Sequence, residues 1–320
     1  MGSFQFQLSD GRRIGVSLVG EPTATRLVVM CLPTPGAGGF DPVPAVTMRH
    51  PIRLLYVDRP GYGGSDGLPK EIEPTIERFA DDIAEYLRHV IDTARGVTGL
   101  ELGPVAVVGW SFGGPVAIAL AARHPELVDS LVIVGAPRPK RLRHGERYSP
   151  VTELRRKGVE RSRGSLTASL EEEGLPTLEA LGVDIDDADA HGLGTAGRLQ
   201  HMIDAAWLQG AAGVASDRSA VANETWLGGF DQLKSPALLL YASDDPVAGL
   251  SDAKWYARHL PNGTVTETCS AGRLAIISEW GRILQWVEAP APLVSPKRKG
   301  RLRSRDPTGG LAIRTGGRSR

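Results

Sequence analysis

A chain of 320 residues, 41% of them hydrophobic, is long enough for one large core, and 37 basic against 37 acidic residues leave no formal net charge. The charge is unevenly placed: residues 290–320 carry nine Lys and Arg, from Lys297 to Arg320, against the single acid Asp306. The body before them is therefore acidic, which excludes an electrostatic attraction to nucleic acid or anionic membrane outside the tail.

The first two elements, Phe4–Ser9 and Arg12–Gly20, flank Asp10-Gly11, a strong hairpin signal. Short apolar runs of the buried, parallel kind follow at Leu27–Leu32, Ile52–Val57, Val105–Val108, Leu131–Gly135 and Ala237–Tyr241. Thr264–Cys269 alternates less cleanly and reads as a last strand. Between the strands the spacing predicts helices over Pro74–Arg95, Gly113–His124, Asp252–Leu260 and Ile276–Val287. Strands alternating with helices imply right-handed crossovers, and hence an α/β fold with a doubly wound, mostly parallel sheet covered on both faces. The alternation lapses over residues 138–230, which are polar, highly charged and without a buried-strand run. That stretch predicts an inserted helical cap between two core segments, 1–137 and 231–289. Beyond Glu288 the Pro, Gly, Ser and Arg composition predicts a disordered basic tail over 290–320.

No apolar run approaches the roughly 18 residues of a membrane span. Met1–Phe6 has no basic-then-apolar leader, and Phe6 stands where a myristoylation site wants Ser or Thr. Cys31 and Cys269, both inside apolar segments, are no disulfide framework. The expectation is a soluble, cytoplasmic protein, with its oligomeric state open.

Gly109-Trp110-Ser111-Phe112-Gly113 matches the G-x-S-x-G pattern of a nucleophile elbow. A serine at a sharp strand-to-helix turn is held in a strained conformation that lifts its hydroxyl above the sheet, and glycines two residues away avoid collision with the neighbouring strand and helix. The pattern alone is weak in a chain with 39 glycines, but a buried strand runs up to it and a helix leaves it. Three further motifs accompany it in chain order: Leu32-Pro33-Thr34-Pro35-Gly36 after the third strand, Asp58-Arg59-Pro60-Gly61-Tyr62-Gly63-Gly64-Ser65 after the fourth, and Asp244-Asp245-Pro246-Val247 after the seventh. In this ordered set the chain, over about residues 4–288, resembles the α/β-hydrolase superfamily, in particular small-molecule serine hydrolases with a cap insertion.

The resemblance implies hydrolysis of a carboxylic ester or similar acyl bond, with no cofactor and a small-molecule substrate as partner. It assigns Ser111 as nucleophile, Asp245 as the acid with Asp244 as fallback, and the backbone N–H groups of Phe112 and Thr34 as the oxyanion hole. Read without the family, Asp244 and Asp245 are equally turn-formers before Pro246, and the loop at Thr34 is equally a rigid proline-rich turn. Pro33 and Pro35 carry no N–H, so Thr34 is the only donor that loop offers between them.

The base should follow the eighth strand in a Gly-His step, but the chain there reads Ala271-Gly272-Arg273-Leu274. A guanidinium stays charged at any accessible pH and cannot act as a general base. Only His259 lies beyond Asp245, at the end of a predicted helix; in the insertion, His201 is the candidate substitute base and His191 a weaker one. Two readings of Arg273 stay open. One is a hydrolase impaired by the loss of its base; the other is a non-catalytic small-molecule-binding member of the fold, with the guanidinium beside Ser111 suited to a carboxylate. Both require a short Arg273–Asp245 contact. No Cys/His cluster has metal-ligand spacing, so no metal is expected. Asp58–Ser65 lacks the Lys-Ser/Thr ending of a phosphate loop and reads as a family turn. Trp207, in the insertion, could line an acyl pocket or belong to a core.

Overall fold

The computed structural model describes residues 2–139, 163–183, 194–268 and 272–288. Eight strands form one sheet: β1 (Gly2–Gln7), β2 (Arg13–Gly20), β3 (Arg26–Cys31), β4 (Ile52–Val57), β5 (Val105–Trp110), β6 (Val128–Val134), β7 (Ala237–Ala242) and β8 (Gly263–Thr268). Their spatial order is β1-β2-β4-β3-β5-β6-β7-β8, antiparallel where β2 meets β1 and β4 and parallel from β4 to β8. The α/β, doubly wound, mostly parallel architecture follows from strands that are apolar throughout. Every residue of Val105–Trp110 and of Ala237–Ala242 is buried, as a strand covered on both faces requires.

Side-chain alternation divides the core in two. Val105 and Val107 of β5 join a cluster with Phe79, Ile83 and Leu87 of helix α2 (Ile76–Thr98) and Val116 and Leu120 of α3 (Gly113–Arg123). Ala106, Val108 and Trp110 face the other way, toward Phe40, Trp280, Ile283 and Leu284. Helix α2 starts at Thr75, whose hydroxyl accepts from the Arg78 N–H at 3.1 Å, and stops at Gly99 with φ +68°. A four-residue helix, α1 (Pro44–Thr47), lies between β3 and β4.

Two of the differences from the expected boundaries have a visible physical cause. The first strand ends at Gln7 rather than Ser9, because Leu8 to Arg12 close the hairpin: the Leu8 N–H donates to the Arg12 carbonyl and Gly11 turns at φ +90°. The last helix, expected unbroken over Ile276–Val287, is split into α8 (Ala275–Ser278) and α9 (Trp280–Glu288). The break is one residue deep. Glu279 has ψ of 10°, and its carboxylate accepts the Thr268 hydroxyl at the end of β8 at 2.6 Å.

Between β6 and β7 the described residues hold no strand. They form α4 (Arg163–Glu173), α5 (Thr195–Ala206) and α6 (Ala212–Ala222), with tight turns over Leu178–Leu181 and Glu224–Gln232. Polar side chains of this segment clamp core carbonyls. Arg163 donates to those of Leu68, Pro69 and Ile72, Arg198 to those of Asp41 and Pro42, and Gln209 to those of Gly63 and Ser65. Half-buried Trp207 packs on a small cluster with Ala37, Tyr62, Leu166 and Val214. Helix α7 (Leu250–His259) follows β7. Cys269, His144, His191 and the tail 290–320 lie outside the described residues. No helix among the described residues is long and apolar enough to cross a membrane.

The tightest point of the core is where α3 leaves the sheet. A Cβ on Gly113 would stand 1.9 Å from the Cys31 carbonyl oxygen and 2.9 Å from that of Leu32. Gly113→Ala is therefore expected to destabilise the protein by about 3 kcal/mol, measured by urea unfolding. A loss under about 1 kcal/mol would mean that β3 and α3 separate at little cost.

Candidate active site

Ser111 lies at the junction of β5 and α3. Among the described residues it is the one non-glycine with positive φ, +52°, a conformation that costs on the order of 1–3 kcal/mol and survives only where the surroundings impose it. They do so here. The Ser111 N–H donates to the Val134 carbonyl at 2.9 Å, continuing the β5–β6 ladder, while its own carbonyl accepts from Gly114 at 3.0 Å. A Cβ on Gly109 would stand 2.7 Å from the Gly113 carbonyl oxygen and from the Gly114 Cα, so the strand and helix close on each other around the serine. Ser111 is only 7% exposed.

Asp245 follows β7. Its Oδ1 accepts from the Val247 and Ala248 N–H groups at 2.7 and 3.1 Å, leaving Oδ2 for Arg273 Nη1 at 3.3 Å. Asp244 turns away to accept the Gly272 N–H at 3.0 Å, so of the two acids it is Asp245 that meets Arg273. Arg273 sits in a short turn, Gly272–Leu274, and is 9% exposed. Its Nη2 donates to Ser111 Oγ at 2.8 Å and its Nε to the Leu181 carbonyl at 3.1 Å. Its own carbonyl accepts from Trp110 Nε1 at 3.3 Å. Gly182 lies against this side chain and turns at φ +71°, a conformation that favours glycine. The expected Arg273–Asp245 contact is present, and Ser111, Arg273 and Asp245 are connected in a row.

The polarity of that row differs from a catalytic relay. A serine about to attack must give its proton to the middle group, and a guanidinium has no lone pair to receive it. Ser111 Oγ instead accepts from Arg273, and among the described residues no group accepts its hydrogen. His201 is exposed on α5 and bonded to neither Ser111 nor Asp245; it is the neighbouring Met202 that is buried, with its carbonyl accepting the Ala37 N–H. His259 is held at the end of α7 by its own Trp255, through a 2.7 Å bond to the carbonyl and a ring stack at 4.0 Å. Cys31 adjoins the elbow, but burial pushes its thiol up to about 12, so it supplies no thiolate.

The loop that carries Thr34 is fixed by a buried cluster that sequence reasoning missed. Arg59 donates to the carbonyls of Leu32 and Pro33, both at 2.8 Å, and grips Asp217 of α6 through Nε and Nη2 at 2.9 and 2.7 Å. Asp217, 0% exposed, also accepts the hydroxyls of Tyr62 and Thr34 at 2.7 and 2.5 Å. The Arg59 guanidinium lies 5.0 Å from the ring centres of both Tyr62 and Phe112. The cluster thus ties together the loop after β3, the turn after β4, the residue following Ser111 and the segment between β6 and β7. One signal for it was legible: Asp217 is an acid set among the small residues Val214, Ala215, Ser216 and Ala220, a helical stretch buried all round, so that the acid demands a buried partner. Nothing in the sequence named Leu181 as the carbonyl for Arg273. Among the described residues no group of three His, Cys, Asp or Glu side chains is placed to hold a metal ion.

With this geometry in place, a family model described as "alpha/beta hydrolase fold" matches residues 52–289, well over half of the chain. The chain belongs to the α/β hydrolase family. It is 29% identical over 229 residues to a pimeloyl-(acyl-carrier protein) methyl ester esterase of Chromobacterium violaceum, covering 69% of this chain and 77% of that protein. Over a shorter stretch of 86 residues, 26% of each chain, it is 52% identical to a 2-hydroxymuconate semialdehyde hydrolase of a Pseudomonas species. Among solved structures, a bromoperoxidase from Bacillus anthracis superposes with a TM-score of 0.64 at 18% identity, covering 90% of this chain and 99% of the other. An esterase from Exiguobacterium antarcticum gives 0.62 at 18% identity, with 89% and 97% covered. At that identity the two structures speak for the fold alone.

The Arg59–Asp217 pair yields a stability prediction. Asp217→Ala strands a charged guanidinium with 4% side-chain exposure, and the expected loss is about 3–5 kcal/mol in urea unfolding. Thr34→Val removes only one of the four bonds to Asp217 and should cost about 1 kcal/mol. Equal losses in the two variants would show that the ion pair is not what holds the cluster.

Proposed function

We propose that this α/β hydrolase binds a small carboxylic ester or similar acyl compound at Ser111 and hydrolyses it poorly, because Arg273 stands where the base would act. The observation that carries this is the 2.8 Å bond from Arg273 Nη2 to Ser111 Oγ. It gives the serine a donor where attack requires an acceptor. The other parts of an acyl-transfer site support the reading: a strained serine on an elbow, the buried Asp245 behind it, and two backbone N–H groups for an oxyanion, from Phe112 at the start of α3 and Thr34 in the clamped loop. The helical segment within 138–230 acts as a cap over the core formed by 1–137 and 231–289. Two of the relatives are named as a methyl ester esterase and a semialdehyde hydrolase, which supports acyl or related carbonyl chemistry. A second reading, a non-catalytic binding member of the fold, is favoured by the same bond, since a hydroxyl with no proton acceptor suits holding a ligand as well as it hinders cleavage.

The test is 4-nitrophenyl acetate and butyrate hydrolysis by the purified protein, with Ser111→Ala as the blank. The wild-type rate is expected within about tenfold of the blank, rising steadily with pH and showing no inflection between about pH 5 and 8, since among the described residues no histidine is bonded to Ser111 or Asp245. Arg273→His should raise the Ser111-dependent rate by about 10²-fold or more and introduce that inflection. Wild-type turnover at or above about 1 s⁻¹, dependent on Ser111, overturns the proposal, because some other group would then activate the serine.

A further inference from the structure

The exchange of an imidazole for a guanidinium changes more than the rate of attack. It changes which hydrogen-bonding partners the site can accept. An imidazole behind the serine takes the hydroxyl proton, so such a site both donates and accepts. Here Ser111 Oγ already receives Arg273 Nη2, and its hydrogen has no acceptor among the described residues although the residue is 7% exposed. Arg273 carries five N–H hydrogens, of which Leu181, Asp245 and Ser111 engage three. The Phe112 N–H belongs to the unpaired first turn of the eleven-residue α3, where the helix dipole is positive.

The acceptors among the described residues, in contrast, are mostly engaged. Asp245 Oδ1 is occupied by two backbone N–H groups and Oδ2 by Arg273. Among the described residues the site around Ser111 is therefore rich in donors, built from a buried hydroxyl and a nine-tenths buried guanidinium, with a spare lone pair left on Ser111 Oγ and on Asp245 Oδ2.

We infer that the ligand selected by this arrangement is a free monocarboxylate, the acid rather than the ester. This rests on the reading that Ser111 is not activated. A carboxylate is an acceptor-only group whose two oxygens can take the Ser111 hydroxyl and the Phe112 N–H on one side and an Arg273 N–H on the other. Charge-assisted bonds of this kind are about twice as strong as neutral ones. An ester of the same size offers weaker acceptors, and a primary amide brings N–H groups for which only the spare lone pairs of Ser111 Oγ and Asp245 Oδ2 remain among the described residues. The charge count favours a monoanion. Asp245 already balances Arg273, so the field left for a ligand is the partial positive charge of the α3 N-terminus, about half an elementary charge.

Isothermal titration of the full-length protein with the series acetate, butyrate, hexanoate and octanoate tests this, against the methyl ester and primary amide of each acid and against inorganic phosphate. The best carboxylate is expected to bind at least tenfold more tightly than its ester and its amide. Arg273→Gln should abolish that preference, and Ser111→Ala should weaken carboxylate binding about five- to tenfold. If Arg273→Gln fails to fold, Arg273→Lys, which keeps the charge but not the fork, carries the same expectation of a reduced preference. Ester or amide binding as tight as the acid overturns the inference, as does a carboxylate affinity indifferent to both Ser111→Ala and the Arg273 variants. No binding by any of the four acids overturns it as well, and phosphate binding as tight as the best acid overturns the choice of carboxylate. Acid release from the esters, followed by NMR in the same samples, separates this from the functional reading: Ser111-dependent turnover at or above about 1 s⁻¹ defeats the latter whatever the affinities are.

Discussion

The site is organised by one contact, the bond from a fixed guanidinium to a strained serine. The strain at Ser111 comes from the strand and helix closing on it at Gly109 and Gly113, and α3 begins two residues after it. In a hydrolase that conformation serves attack, because the hydroxyl is offered to the substrate while a base waits behind it. Arg273 occupies the place behind it and is itself immobilised, by Asp245, by the Leu181 carbonyl and through its backbone by Trp110. The strain is thus retained while, among the described residues, no proton acceptor is bonded to the hydroxyl. What remains is a presented hydroxyl in a field of donors.

The fold was legible because it rests on patterns that survive without tertiary knowledge. Buried parallel strands are apolar throughout, so Val105–Trp110 and Ala237–Ala242 stand out, and the glycines of the elbow are dictated by collisions that any side chain would create. The row of Ser111, Asp245 and Arg273 was legible for the same reason: each residue follows a strand at the same end of the sheet, and strand order fixes their meeting. The helix boundary at Glu279 was not legible, because it depends on a partner, Thr268, eleven residues away in another element.

The Arg59–Asp217 cluster illustrates the other limit. Arg59 read as part of a turn and Asp217 as one charge among many in a polar insertion. Their pairing spans 158 positions and becomes visible only once α6 is laid against the turn after β4. The proline-rich loop after β3, Leu32-Pro33-Thr34-Pro35-Gly36, needs a support that its own sequence does not name. The cluster supplies that support from below, since the two carbonyls of Leu32 and Pro33 both end on Arg59. The family fold tolerates an unusual loop sequence here because the loop is held by its carbonyls, which every residue type possesses.

Comparing the two arginines separates structure from function within one residue type. Arg59 makes four hydrogen bonds, two to carbonyls and two to a carboxylate with no exposure, and two aromatic rings lie against it. Its hydrogen-bonding capacity is nearly consumed by the protein. Arg273 makes three, one of them to a hydroxyl that is itself left with an unplaced hydrogen. A buried arginine whose partners satisfy it is a fastening, whereas one that shares an incomplete network with a strained serine has capacity that only an added acceptor can fill. On that ground the Arg59 cluster belongs to the architecture, and the residual donors around Arg273 belong to the ligand.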